Sequence, residues 1–181
     1  MSWMIQQGLA GNLFFGSTAA AGVAVPTTNA TSQVFGIWNP PGSGVLAVLD
    51  KLILGIATLG TNIVAALNWS VLTNVQAVAT GQPITAFTDT TIRNAQIGRG
   101  KVPKIRFTGS AATTIAATQL VPVGVTSTTG TPVNASPVMV FEHNGLIMVP
   151  EGVAMFLVGS AAPGSTYQAG LSWAEVPQPA V

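Results

Sequence analysis

Charged side chains are scarce in this chain. Six lysines and arginines and five aspartates and glutamates make up 6% of its 181 residues, whereas ordinary soluble domains carry about 25%. No charged residue occurs from Leu52 to Thr88. Charged surface keeps monomers apart in solution. The composition therefore predicts a protein that either lies in a membrane or is covered by copies of itself and by partners.

Cysteine is absent and histidine occurs once, at His143. These two facts exclude disulfides, thiolate sites and a metal cluster of histidines within one chain. We interpret His143, which precedes Asn144-Gly145, as a hydrogen-bonding residue at the surface or at an interface. Glu142 and Glu151 are the carboxylates most able to form a pair, and we place them at the exposed ends of one hairpin. The sequence predicts no enzyme, no metal site and no small-molecule substrate.

One glycine motif resembles a nucleotide-binding fingerprint. The segment from Gly42 to Ala47 reads G-x-G-x-x-A and follows a predicted strand. That fingerprint requires a helix after the glycines and an acidic residue about 20 positions later. The following residues are typical of a strand, and no acidic residue lies between Asp50 and Asp89. We therefore interpret the motif as a turn and predict no cofactor.

Glycine and proline punctuate the chain throughout. Twenty glycines and twelve prolines are spread along it, with runs rich in Val, Ile, Thr and Phe between them, as in all-β sandwiches and barrels. Pro122 predicts an edge strand or a bulge. The fold class predicted for residues 32–181 is an all-β, antiparallel, jelly-roll-like β-sandwich. Its predicted strands cover residues 34–38, 45–56, 61–72, 103–107, 115–125, 137–141, 146–149, 153–158 and 166–176.

Two of these strands carry informative alternation. In 166–176, one face holds Tyr167, Ala169, Leu171 and Trp173, which predicts that this face is buried. In 45–56, both faces are apolar except at the adjacent Asp50 and Lys51. This pattern predicts a strand that is covered on both sides.

The N-terminal segment 1–31 differs from the rest of the chain. Short apolar islands alternate with glycine and small residues, and no strand or helix period runs through them. A disordered tail is one interpretation, but Trp3, Phe14 and Phe15 disfavour it because disordered segments are poor in aromatic residues. We predict that residues 1–31 form an extended N-terminal arm that packs on a neighbouring molecule. Deletion of residues 1–25 should then leave the body folded.

A membrane-spanning helix is the main competing hypothesis. Leu52 to Leu72 is uncharged and long enough to cross a bilayer. However, the window contains Asn68 and the turn cluster Gly60-Thr61-Asn62, which are unfavourable in hydrocarbon. We therefore predict two strands here and keep a small membrane protein as an alternative.

Five of the six cations lie close together in the sequence: Arg93, Arg99, Lys101, Lys104 and Arg106. No acidic residue interrupts them. A loop that docks on an acidic protein surface is the favoured hypothesis, because complementary charge would fix the register of an otherwise apolar contact. A solvated loop is the alternative. A nucleic-acid contact is disfavoured by the lack of stacking aromatics and by the net charge of +1.

Two stretches resemble a known family. The first is Asn39-Pro-Pro-Gly-Ser-Gly44 followed by Val45–Leu54 and Gly55. The second is Gly145-Leu-Ile-Met-Val-Pro-Glu-Gly152 followed by an apolar strand, and it ends in Ser172-Trp-Ala-Glu175. Over about residues 34–177 the chain resembles the jelly-roll structural proteins of tailed bacteriophage virions, which include capsid cement (decoration) proteins and fibre modules. The motifs are turn-and-strand patterns, not catalytic signatures.

The resemblance implies a function and partners. It implies a homotrimeric cement protein on the capsid surface that binds the major capsid protein across capsomers. The contacts would come from Trp3, Phe14 and Phe15 to neighbours and from the cationic segment 93–106 to the shell. The alternative is a fibre module that binds a host receptor or glycan. A glycan site would need an exposed aromatic platform, for which Trp69, Tyr167 and Trp173 are the candidates.

Overall fold

The computed structural model describes residues 2–27, 32–58, 64–73, 92–97, 100–109, 113–114, 119–127, 138–161 and 164–179. These residues contain one helix and fourteen strands. Their bounds are α1 Trp3–Leu9, β1 Leu13–Ser17, β2 Val23–Ala24, β3 Ser32–Gln33, β4 Gly36–Asn39, β5 Val45–Thr58, β6 Val64–Leu72, β7 Arg93–Asn94, β8 Arg106–Thr108, β9 Thr113–Thr114, β10 Gln119–Ser127, β11 Val138–Glu142, β12 Met148–Val149, β13 Val153–Gly159 and β14 Thr166–Pro177.

The strands form two main sheets. The seven-stranded sheet has the order β11-β5-β14-β1-β7, with β12 also paired to β5 and β2 also paired to β14. The five-stranded sheet has the order β10-β6-β13-β4-β8, and β3 and β9 form a small separate pair. The pairs between these strands are antiparallel. The prediction of an all-β sandwich is confirmed, and the jelly-roll connectivity stays a prediction.

Aromatic rings fill the space between the two sheets. Trp173 of the seven-stranded sheet stacks on Phe14 and on Phe107, each with ring centroids 6.1 Å apart. Phe107 meets Phe35 edge to face at 5.3 Å, and Phe35 stacks on Trp69 at 6.3 Å. Each such pair contributes about 0.5–1.5 kcal/mol beyond the burial of its area. This row of rings connects the two sheets across the core.

The strand β5 changes phase at Asp50. Opposite it on β14, Ser172 is paired with Lys51 and Trp173 with Leu49, so Asp50 is the extra residue of a bulge. The side chains that point into the core are therefore at odd-numbered positions up to Leu49 and at even-numbered positions from Leu52 onward. The prediction that both faces of β5 are covered is wrong at Ile53, which points outward and is 44% exposed.

The prediction of an extended N-terminal arm is wrong for residues 2–27, which contain the helix α1 and two strands of the seven-stranded sheet, β1 and β2. The strand β1 lies between β14 and β7, with Phe14 opposite Trp173. The predicted neighbour contact of Phe14 is wrong, because its side chain is only 1% exposed and belongs to this chain's own core. Deletion of residues 1–25 would remove β1 and this ring, so the body is not expected to stay intact. The predicted boundary near residue 31 falls on residues 28–31, outside the described residues.

The predicted hairpin around Asn144-Gly145 is also wrong. Both β11 and β12 pair with β5, in the same direction and one after the other. Asn144 and Gly145 have positive φ values of 49° and 79°, and the amides of His143 and Asn144 both donate to the Asp50 carbonyl. The Asn-Gly pair therefore connects two short strands that run in the same direction along β5, and it does not reverse the chain.

Two other local predictions are confirmed. The strand β10 forms an edge of the five-stranded sheet, and its register against β6 shifts between Pro122 and Gly124. In the window from Leu52 to Leu72, β5 ends at Thr58 and β6 begins at Val64 in the other sheet. Within the described ranges, no helix is long and apolar enough to cross a membrane.

Candidate interaction surfaces

Four of the five clustered cations, Arg93, Lys101, Lys104 and Arg106, lie along one edge of the sandwich. Arg93 is on β7, the last strand of the seven-stranded sheet, and Arg106 is on β8, the last strand of the five-stranded sheet. Lys101 and Lys104 lie in the segment that joins these two strands. Arg99 lies outside the described residues. We call this side of the molecule, with α1, β1, β7, β8 and residues 95–97 and 100–104, the β7 edge.

The segment from Lys101 to Ile105 is tied to the sandwich. The Nζ of Lys101 donates to Asn12 Oδ1 at 2.6 Å, and the Nζ of Lys104 donates to the Ser43 carbonyl at 2.9 Å. Both lysines line a cleft of about 250 Å³ that also includes Glu175. The two side chains remain exposed. The segment that carries Lys101 and Lys104 is therefore fixed against the sandwich by hydrogen bonds, and it is not a freely solvated loop.

Glu175 is the acceptor that holds this segment. Its buried carboxylate accepts the backbone N–H groups of Lys104, at 3.0 and 3.1 Å, and of Ile105, at 3.1 Å. The indole of Trp173 donates to it at 3.4 Å. Burial raises the pKa of Glu175, and the hydrogen bonds from Lys104 and Ile105 partly oppose that rise. Sequence analysis assigned no role to Glu175, because the segment it binds is far from it in the sequence.

The β7 edge is apolar as well as cationic. Trp3 is exposed on α1, and Phe15 is exposed on the outer face of β1, where it lies opposite Arg93. Both therefore lie on the surface, as a contact residue must. Ile97 is 93% exposed between β7 and the two lysines. The exposed large apolar residues of this edge are Trp3, Ile5, Leu9, Phe15, Ile97 and Val102.

A second apolar surface lies on the opposite side of the sandwich. We call it the β11 edge; it consists of β10, β11, β12 and the residues between β11 and β12. Sequence analysis missed it as a surface, although Val138 and Val140 alternate with Met139 and Phe141 within β11. The exposed large apolar residues of the β11 edge are Leu120, Val121, Val125, Val138, Val140, Leu146 and Met148.

His143 is a buried residue of the β11 edge. The interpretation of His143 as a hydrogen-bonding residue is confirmed, but a position at the free surface is wrong, since it is only 7% exposed; a position at an interface stays a prediction. Its Nε2 accepts a hydrogen bond from the Trp69 indole at 3.3 Å. It also lines a groove of about 460 Å³ between β10 and β11. Burial lowers the pKa of His143, and the nearby Asp50 carboxylate partly offsets this effect.

The glycine motif is a turn, as the sequence predicts. Val45 begins β5 directly after Gly44, so the helix that a nucleotide-binding fingerprint requires is not formed. The amides of Gly42 and Gly44 donate to the carboxylate of Glu151. These hydrogen bonds lower the pKa of Glu151. Glu142 instead forms an ion pair with Lys51 at 3.3 Å, so the two glutamates are engaged at separate places.

The three aromatic candidates for a glycan platform are all in the core. Trp69, Tyr167 and Trp173 are each fully buried. The prediction that Tyr167 and Trp173 share a buried face of β14 is confirmed, and the platform suggested for a fibre module is not formed by these rings. Among the described residues, no group of three or more His, Asp or Glu side chains could hold a metal ion.

Comparisons of the chain with protein-family models, with curated proteins and with solved structures give no match.

Proposed function

We propose that this protein is a virion structural protein, a capsid cement (decoration) protein that docks through its β7 edge on an acidic surface of the major capsid protein. The observation that carries the proposal is the combination, on one edge, of held cations with exposed apolar side chains. Lys101 and Arg93 are exposed there beside Ile97 and Phe15. In this proposal the protein acts as a homotrimer on the capsid surface.

In this mechanism the protein would reinforce the shell mechanically. Apolar residues of the β7 edge would be buried across a junction between capsomers, and the cations would fix the register by pairing with carboxylates. Burial of about 1,000 Å² of apolar surface is worth a gross ~25 kcal/mol before the costs of association. Such a contact would hold the shell together against internal pressure.

The exposed apolar surface supports this function over an independent monomer. A monomer rarely exposes contiguous apolar patches larger than a few hundred Å², and larger patches mark interaction sites. This chain has apolar side chains exposed on two opposite edges and few charges to keep copies apart. Coverage by partners accounts for both features.

The test is co-sedimentation of the purified protein with empty shells of its phage. Two variants remove one cation each and leave the same net charge: Lys101→Gln on the β7 edge and Lys51→Gln beside the β11 edge. We expect Lys101→Gln to weaken shell binding more than Lys51→Gln does, and its combination with Arg93→Gln to weaken binding about tenfold or more. Added salt should weaken wild-type binding. Lys51→Gln should bind like the wild type at protein concentrations at which light scattering shows that it has the wild-type oligomeric state.

Three results would contradict the proposal. The first is a wild-type protein that fails to sediment with shells. The second is equal loss of binding in the Lys101 and Lys51 variants. The third is binding to host cells in place of shells, which would favour the fibre function.

A further inference from the structure

Among the described residues, β11 is the terminal strand of the seven-stranded sheet and pairs with one neighbour, β5. Its five residues contain no proline, and their register against β5 is continuous. Natural proteins commonly protect such edges with proline, bulges or charge, because an unprotected apolar edge pairs readily with another chain. On β11 only Glu142 offers that kind of protection.

The size of the β11 edge is suitable for a specific interface. Its seven large apolar side chains range from 37% exposed at Val121 to 87% exposed at Leu146. Together they present on the order of 700 Å² of surface, against about 800 Å² per partner in a standard protein interface. The groove between β10 and β11 offers additional room for the apolar side chains of a partner.

The low charge of the β11 edge favours a second copy of this chain as its partner. Glu142 is the only Asp, Glu, Lys or Arg in β10, β11, β12 and the residues between β11 and β12, and its carboxylate is paired with Lys51. In the proposed homotrimer the β11 edges of three copies would come together around a threefold axis. A surface with one neutralised charge allows this without repulsion. Two β7 edges would instead bring cations together, which is unfavourable because like charges repel. Self-association is therefore favoured at the β11 edge and disfavoured at the β7 edge.

We propose that the β11 edge is the surface on which a second copy of this chain docks. This inference rests on the homo-oligomer in the proposed function and gives that oligomer a location. It also leaves the β7 edge of each copy free to face the shell. The two edges thus have separate partners, one a copy of the chain and the other an acidic protein.

The test compares the same substitution on the two edges. Val140→Asp and Leu146→Asp place a carboxylate at exposed positions of the β11 edge, and Ile97→Asp is the matched control on the β7 edge. The mass of each protein is measured by light scattering on a size-exclusion column over a dilution series. We expect the wild type and Ile97→Asp to be oligomers. Val140→Asp and Leu146→Asp should raise the dissociation constant by at least roughly thirtyfold.

Because the chain has no cysteine, a single introduced thiol gives a second measurement. The thiol of Leu146→Cys should react slowly with a maleimide in the concentrated oligomer and quickly after dilution. The thiol of Ile97→Cys should react quickly at both concentrations. A wild type that is monomeric at all concentrations would overturn the proposal. So would a Val140→Asp oligomer as stable as the wild type, or protection of Ile97→Cys in place of Leu146→Cys.

The results that would overturn this interface differ from the results that would contradict the proposed function. An oligomer that depends on Val140 but does not bind shells would support this interface and contradict the cement function. A monomer that binds shells through Lys101 would support docking on the shell and overturn the interface.

Discussion

The indole N–H of Trp69 donates a 3.3 Å hydrogen bond to Nε2 of His143 and joins the two sheets. Trp69 is on β6 of the five-stranded sheet, and His143 directly follows β11 of the seven-stranded sheet. Because Nε2 is the acceptor, the neutral ring carries its proton on Nδ1. Protonation of Nε2 would remove the acceptor and place a charge in a buried site. This contact therefore makes the fold sensitive to pH.

We expect the stability to fall as the pH is lowered from 7 to 5. Burial lowers the pKa of His143 below its ordinary value of 6.5, so the unfolded chain takes up a proton at a higher pH than the folded chain. The stabilisation is fully present above pH 6.5 and is lost as the pH falls from there through the folded pKa. Urea denaturation followed by tryptophan fluorescence at several pH values measures this loss.

The control for this prediction is His143→Gln, in which the side-chain oxygen still accepts from Trp69 but does not titrate. Its stability should vary less between pH 7 and pH 5 than that of the wild type. Glu175 contributes with the opposite sign, because its pKa is raised and its protonation favours the folded state as the pH falls. An unchanged pH dependence in His143→Gln would show that His143 is not the group responsible.

Phe14 and Phe15 are neighbours in sequence with opposite surroundings. Phe14 is 1% exposed and stacks on Trp173, whereas Phe15 is 45% exposed on the outer face of β1. We expect Phe14→Ala to lower the free energy of unfolding by about 3–5 kcal/mol. Phe15→Ala should change it by about 0.5 kcal/mol or less, and chemical denaturation measures both values. Equal effects in the two variants would contradict the position of β1 within the sheet.

Local patterns predicted several strands well. The alternation from Tyr167 to Trp173 identified the buried face of β14, because period-2 burial depends only on neighbouring residues. Pro122 identified an edge strand with a bulge, because its missing N–H acts locally. The cationic segment was also evident from composition alone. These features required no knowledge of which strands pair.

Long-range pairing accounts for what the sequence did not reveal. The insertion of β1 beside β14 depends on a partner at the opposite end of the chain. The bulge at Asp50 depends on Ser172, whose Oγ donates to the Asp50 carboxylate and accepts the Lys51 amide. The apolar residues of β11 and β12 are exposed because both strands pair with β5 at the end of the seven-stranded sheet. Apolar residues on an edge and in a core have the same sequence pattern, so only the sheet order distinguishes them.

Glu175 should be needed to hold the cationic segment. Replacement by Gln turns one acceptor oxygen into a donor that faces the backbone N–H groups of Lys104 and Ile105. We expect Glu175→Gln to lower the free energy of unfolding by about 1–3 kcal/mol. Amide hydrogen exchange at Lys104 and Ile105 should also become faster. Denaturation and hydrogen exchange measure these two effects.

The control is Glu142→Gln, which changes an exposed carboxylate in a surface ion pair. Exposed pairs of this kind contribute about 0–1 kcal/mol. A Glu175→Gln variant with the stability and exchange rates of Glu142→Gln would show that the buried carboxylate does not anchor the segment.

Tyr167 offers a stabilising substitution. Its ring is fully buried on the inner face of β14, and its hydroxyl has no hydrogen-bond partner in the part of the chain that the structure describes. A buried hydroxyl without a partner costs about 1–3 kcal/mol in lost hydration, and Phe keeps the ring while removing this group. We expect Tyr167→Phe to raise the free energy of unfolding by about 1 kcal/mol, as measured by urea denaturation. Tyr167→Leu, which removes the ring as well, should be less stable than the wild type. A loss of stability in Tyr167→Phe would mean that the hydroxyl makes a hydrogen bond in the folded protein.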